Sequence, residues 1–158
     1  MRRVGDSIFM EVMRSMAAAG TTVSTEAVDQ VFTFTSSDTI DYTNTSGASQ
    51  VADTLDIDLK KDSLLLISYS VRASLTPRTS TQVPMVFVRC QVDGTPCEPD
   101  NNDIVWLIPE FCCDARTFTW IFPKATKGKH AVSILWGMGN PTAAHFTLRS
   151  LVVQAARV

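Results

Sequence analysis

Lys129-His130-Ala131-Val132-Ser133-Ile134-Leu135-Trp136 and, one loop later, Ala144-His145-Phe146-Thr147-Leu148-Arg149-Ser150-Leu151-Val152-Val153 decide the fold class. Both runs alternate. In the first, His130, Val132, Ile134 and Trp136 point one way, and Ala131, Ser133 and Leu135 the other. Period two with β-branched and aromatic residues predicts strands. Gly137-Met138-Gly139-Asn140-Pro141 breaks the pattern between them. The simplest reading pairs the two runs as a ribbon, with His130 and His145 as candidate cross-strand neighbours. A lone ribbon is not stable in water, so the rest of the chain must supply a sheet.

Upstream of the ribbon the same pattern recurs. Val31-Phe32-Thr33-Phe34-Thr35 alternates. Thr54-Leu55-Asp56-Ile57-Asp58-Leu59 has one apolar and one acidic face. Ser63 to Ala73 carries four consecutive aliphatic residues, Leu64 to Ile67, and is predicted to be central. Val83 to Val92 ends in Asp93-Gly94, a tight-turn signal. Ile104 to Ile108 is short and apolar, and Arg116 to Phe122 alternates again. Ser36 to Gln50 and Thr76 to Thr81 read as polar loops. About eight antiparallel strands in one domain predict an all-β, two-sheet antiparallel β-sandwich, jelly-roll-like in topology. Leu65, Ile67, Val86, Val88, Val132, Ile134, Phe146 and Leu148 are the predicted core.

One helix is expected, over Ser7 to Ala19. Asp6 caps it and Gly20 stops it. Ile8, Phe9, Val12, Met13 and Met16 form a single apolar stripe. About three turns do not hold themselves helical in water, so the stripe needs a partner surface. This divides the chain into an N-terminal arm, residues 1–25, and a sandwich domain, residues 26–158. The stripe is the candidate partner-binding site, engaging another copy of the chain; packing on its own sandwich is the alternative.

Composition excludes some functions. The chain has 158 residues, 45% hydrophobic and 19% charged, with a net charge of −2. That is enough for one core without staples. The scattered basic residues give no nucleic-acid footprint. No apolar run reaches the roughly 18–20 residues of a membrane helix. Met1-Arg2-Arg3 and Ala17-Ala18-Ala19 imitate a signal peptide, but Asp6, Glu11 and Arg14 interrupt its apolar region. The expected place of synthesis is the cytosol, with release inside a particle as one way out.

Motifs for chemistry are sparse. No G-x-S-x-G elbow accompanies the two histidines, His130 and His145. Asp56 and Asp58 share a strand face, which a solvated sheet explains. Glu98, Asp100 and Asp103, with Asn101 and Asn102, offer oxygen ligands for a loose calcium loop, without the EF-hand spacing. Cys90, Cys97, Cys112 and Cys113 lack the paired spacing of a zinc site and read as reduced thiols. A disulfide from Cys97 to Cys112 or Cys113 is the alternative. Asn44-Thr45-Ser46 is a glycosylation sequon with meaning only after secretion. Trp106, Trp120 and Trp136 fall in alternating strands and read as core or interface rather than as a sugar platform. No cofactor or metal is expected.

A short N-terminal arm followed by a single sandwich of about eight strands resembles the small jelly-roll proteins of virions. Phage capsid-decoration and head-fibre proteins are the nearest type, with tumour-necrosis-factor-like trimers a looser likeness. The resemblance lies in the strand pattern of Val28 to Val158 and carries over no functional residue. It implies a non-enzymatic structural subunit of a homo-oligomer, with copies of itself and a capsid or tail surface as partners. The competing reading is a carbohydrate-binding module, supported by the sandwich, the tryptophans and the calcium-like loop.

Overall fold

The computed structural model describes residues 28–43, 49–75, 85–99, 105–107, 113–138 and 143–157. The predicted arm and its helix lie outside them, as do Cys112, Asp100 and Asp103. Every regular element among the described residues is a strand. They are β1 (Val28–Ser36), β2 (Ile40–Thr43), β3 (Gln50–Leu59), β4 (Ser63–Leu75), β5 (Met85–Val92), β6 (Thr95–Pro96), β7 (Val105–Leu107), β8 (Cys113–Ala125), β9 (Gly128–Met138) and β10 (Ala143–Arg157).

They form two five-stranded antiparallel sheets. The front sheet runs β1-β10-β4-β8, with β2 also on β10. The back sheet runs β3-β9-β5-β6, with β7 also on β5. Successive long strands β3, β4, β5, β8, β9 and β10 fall alternately in the back and front sheets. That interleaving is a jelly roll, as expected. β4 is central, between β10 and β8.

The predicted ribbon is corrected. β9 and β10 do not pair; β9 lies between β3 and β5, and β10 between β1 and β4. Alternation shows that a strand has one apolar face. It does not show which sheet turns that face inward. β9 ends at Met138 in the back sheet and β10 begins at Ala143 in the front sheet, and packed sheets lie about 10 Å apart. His130 and His145 are therefore in different sheets and are not neighbours. β2 was also missed, because Ile40-Asp41-Tyr42-Thr43 sits inside a segment that reads as a polar loop.

The core fills the space between the sheets. Front-sheet residues Leu65, Ile67, Tyr69, Trp120, Phe146, Leu151 and Val153 meet back-sheet Ile57, Val86, Val88, Val132, Ile134 and Trp136. Trp136 sits edge-on to Tyr69, ring centroids 6.1 Å apart, and also packs edge-on against Phe146. Seven of the eight predicted core residues are buried. The eighth, Leu148, is 57% exposed. The register of β10 on β4 slips between Thr147 and Ser150, and Leu148 has φ 49°. This bulge inserts one extra residue and reverses the phase of the strand. Ala144 and Phe146 point inward before it, Leu151 and Val153 after it, and Arg149 takes the inward place.

Candidate functional site

Two bulges, in different sheets, bring a charged cluster into the core. β3 slips against β9 between Val51 and Asp53, which turns Asp53 inward beside Leu55 and Ile57. Asp53 is 6% exposed and Arg149 5%. Arg149 Nη1 donates to Asp53 Oδ1, and Nη2 donates to Ser36 Oγ at 3.0 Å. Tyr69 Oη donates to Asp53 Oδ2 at 2.6 Å. Burial, and then the hydrogen bond to Asp53, push the Tyr69 phenol above its ordinary range. The cluster ties β3 of the back sheet to β10 and β4 of the front sheet. The Arg149 guanidinium and Asp53 carboxylate pair with each other, and Ser36 and Tyr69 add hydrogen bonds, so the cluster acts as a structural clamp between the sheets.

The two histidines each hold an aspartate at the surface. His130 Nδ1 lies 2.6 Å from Asp93 Oδ2, and Nε2 lies 2.7 Å from the Thr126 carbonyl. Both partners are acceptors, so the imidazolium donates to both. The Asp93 hydrogen bond raises the His130 pKa despite partial burial. The backbone N–H of Ala131, then His130, lower that of Asp93. Asp93 and Gly94 have φ 50° and 80°, as the predicted two-residue turn between β5 and β6 requires. His145 Nδ1 lies 2.6 Å from Asp41 Oδ1 in the front sheet. Asp56 and Asp58 do share the outer face of β3. With Asp93, Lys129 and His130 they border an open recess of about 520 Å³.

Of the calcium-loop residues only Glu98 is described. Its backbone N–H donates to the Ile121 carbonyl at 2.8 Å, and Ile121 N–H donates to its carbonyl at 2.7 Å. It thereby joins the β6 end of the back sheet to β8 of the front sheet. Trp120 and Trp136 are buried, which removes them from any sugar platform; Trp106 stands on β7. Cys90 and Cys97 are buried and Cys113 is exposed, all three as free thiols. Among the described residues no group of three His, Cys, Asp or Glu side chains converges to hold a metal ion. No helix among them is long and apolar enough to cross a membrane.

The surface feature that sequence reading missed is the outer face of the front sheet. Register places three rows of outward residues across β1, β10, β4 and β8. They are Val31, Gln154, Leu66 and Ile121; Thr33, Val152, Ser68 and Thr119; and Thr35, Ser150, Ser70 and Thr117. None is charged. Val31 is 55% exposed, and Ser70 and Thr117 share a hydroxyl hydrogen bond at 2.8 Å. The outer face of the back sheet has Arg89, Asp56, Asp58 and Lys129 in the equivalent positions. Alternation in each strand was legible, but which strands lie side by side was not.

No family model and no curated protein matches the chain. Solved structures do. The structure of infectious bursal disease virus, Gt strain, aligns with TM-score 0.55 at 13% identity, over 80% of this chain and 33% of that one. The infectious bursal disease virus VP2 subviral particle aligns with TM-score 0.54 at 15% identity, over the same shares. The chain thus has the jelly-roll fold of these viral proteins and spans about a third of their length.

Proposed function

We propose that this chain is a non-enzymatic structural subunit of a homo-oligomeric, virion-type assembly. Three adjacent uncharged rows on the outer face of the front sheet carry the reading. Solvated sheet faces ordinarily hold charge, as the back sheet does, and a wide face without it is suited to burial against another protein. The likeness to a VP2 subviral particle chain supports the same reading through the fold. The partner is a second copy of this chain.

Magnitude gives the arm a part in this interface. Four strands by five residues cover about 300 Å², from the usual strand spacing and rise. A stable interface needs about 800 Å² per partner. The face alone is too small. The stripe Ile8, Phe9, Val12, Met13 and Met16 supplies further apolar area, and methionine adapts to such contacts. In this reading the arm of one copy reaches the neighbouring copy, and the assembly resides in a virion.

Size-exclusion chromatography with light scattering tests this on three proteins: the whole chain, one lacking residues 1–20, and Ser68→Arg. The expected result is an oligomer that both changes convert to folded monomer. A monomeric whole chain sinks the proposal. Unchanged assembly after the deletion removes the arm from the interface, and unchanged assembly in Ser68→Arg removes the front face.

A further inference from the structure

Cys90 and Cys97 face each other across the β5–β6 turn. The two strands pair at Val92 with Thr95 and at Gln91 with Pro96. The next positions out are Cys90 and Cys97, where Cys97 N–H donates to the Cys90 carbonyl at 2.9 Å. Cys97 Sγ donates to Cys90 Sγ at 3.5 Å. Directly opposed strand residues have Cβ atoms about 4.5–5.5 Å apart, bordering the roughly 3.5–4.5 Å of a disulfide. Closing the remaining gap asks for side-chain rotation and a small shift of β6. That strand is two residues long and exposed, so it can move.

The backbone around the pair borders a recess of about 100 Å³, with Arg89, Gln91, Pro96, Pro99 and Leu135.

We infer that Cys90 and Cys97 are an intrachain disulfide site that peroxide closes. Peroxide oxidises one thiol to a sulfenic acid and leaves as water. The facing thiol then attacks that sulfur, expelling the hydroxyl as a second water and forming the S–S bond. Two electrons leave the thiol pair and reduce one peroxide to two waters. The hydrogen bond from Cys97 and burial push the Cys90 pKa up, which keeps it a thiol and slows the reaction. The pair therefore stays open in reducing surroundings and closes under sustained oxidation. The bond lies one residue before Glu98, whose backbone holds Ile121 of the other sheet. Closing it anchors that clasp covalently to β5. The inference stands apart from the assembly proposal and uses none of its residues.

The experiment uses the full chain carrying Cys113→Ala, folded, with and without dilute hydrogen peroxide. The chain has four cysteines, so this variant has three thiols. Oxidation should leave one that alkylates in denaturant. The mass should fall by two hydrogens, and peptide mapping should join Cys90 to Cys97. The melting temperature should rise by about 5–10 °C, as expected for a short closed loop in a chain of this size, and dithiothreitol should reverse it. Cys97→Ser in the same background should show no rise. Should that variant fail to fold, the mass and peptide map of the parent still decide. Three alkylatable thiols after oxidation, sulfinic acid without a bond, or a bond to Cys112 would overturn the inference.

Discussion

The front and back sheets are alike on the inside and unlike on the outside. Each turns a continuous apolar surface to the core, and each contributes one bulged charged residue to the clamp. Outside, the back sheet carries Arg89, Asp56, Asp58 and Lys129, while three rows of the front sheet carry no charge. Core packing demands the inner likeness and leaves the outer faces free. A difference there reports what each face meets once the chain has folded.

The inner likeness breaks hardest at the clamp. Asp53→Ala leaves Arg149 buried without its carboxylate and should cost about 3–5 kcal/mol in urea unfolding. Asp53→Leu with Arg149→Met removes both charges and should restore most of that stability. A double variant as weak as the single one would mean that the site needs its charges for more than each other.

Ile134→Ala in the back sheet and Leu151→Ala in the front should each lose about 2–5 kcal/mol. Both side chains are fully buried. A loss under about 1 kcal/mol at either would show that one sheet's inner face packs loosely.

Acid and base sharpen the comparison at the rim of the back sheet. His130 titrates above its ordinary 6.5 in the folded chain. Its contribution is therefore full below about pH 6.5 and fades as pH rises through the folded value. Asp93 titrates below its ordinary 3.8, so its contribution holds above that and fades as pH falls through the folded value. Thermal melts should show a small plateau between these limits. The effect stays well under 1 kcal/mol, because Asp93 is half exposed. His130→Gln should flatten the alkaline side; an unchanged profile would assign the slope elsewhere.

The smallest effect on stability carries the most about the outer faces. Thr119→Arg in front and Gln91→Arg behind should each stay within about 0.5 kcal/mol of the parent. Only the front change should shift the sedimentation of the oligomer. Equal behaviour of the two would erase the distinction between the faces.

Sequence pattern reached as far as single strands. Alternation in Thr54 to Leu59 and the Asp93-Gly94 turn were legible because both are local. The pairing of β9 was not, since Val132, Ile134 and Trp136 look the same facing either sheet. Leu148 was misread for a sharper reason. Strict alternation puts Leu148 inside, and nothing nearby, no glycine and no asparagine, announces the bulge. The signal was the cost that strict alternation hides: an arginine in an apolar run needs a buried carboxylate, and Asp53 was that residue. The uncharged rows of the front face belong to four ordinary strands until topology sets them side by side.

The place of β10 has a consequence for how the molecule comes into being. This strand is the spine of the front sheet, flanked by β1, β2 and β4, and it leaves the ribosome after the other nine described strands. Until then β1 has no partner within its sheet, and one long side of β4 lies bare. Assembly of that sheet waits for all the other described strands, and the loops to be closed between β1 and β10 are long. Such topologies fold in milliseconds to seconds rather than microseconds. Throughout that interval unpaired edges stand open to other chains. A nascent or truncated chain without β10 should therefore be the form that aggregates, and a chaperone should hold longest to molecules whose β10 has not yet docked.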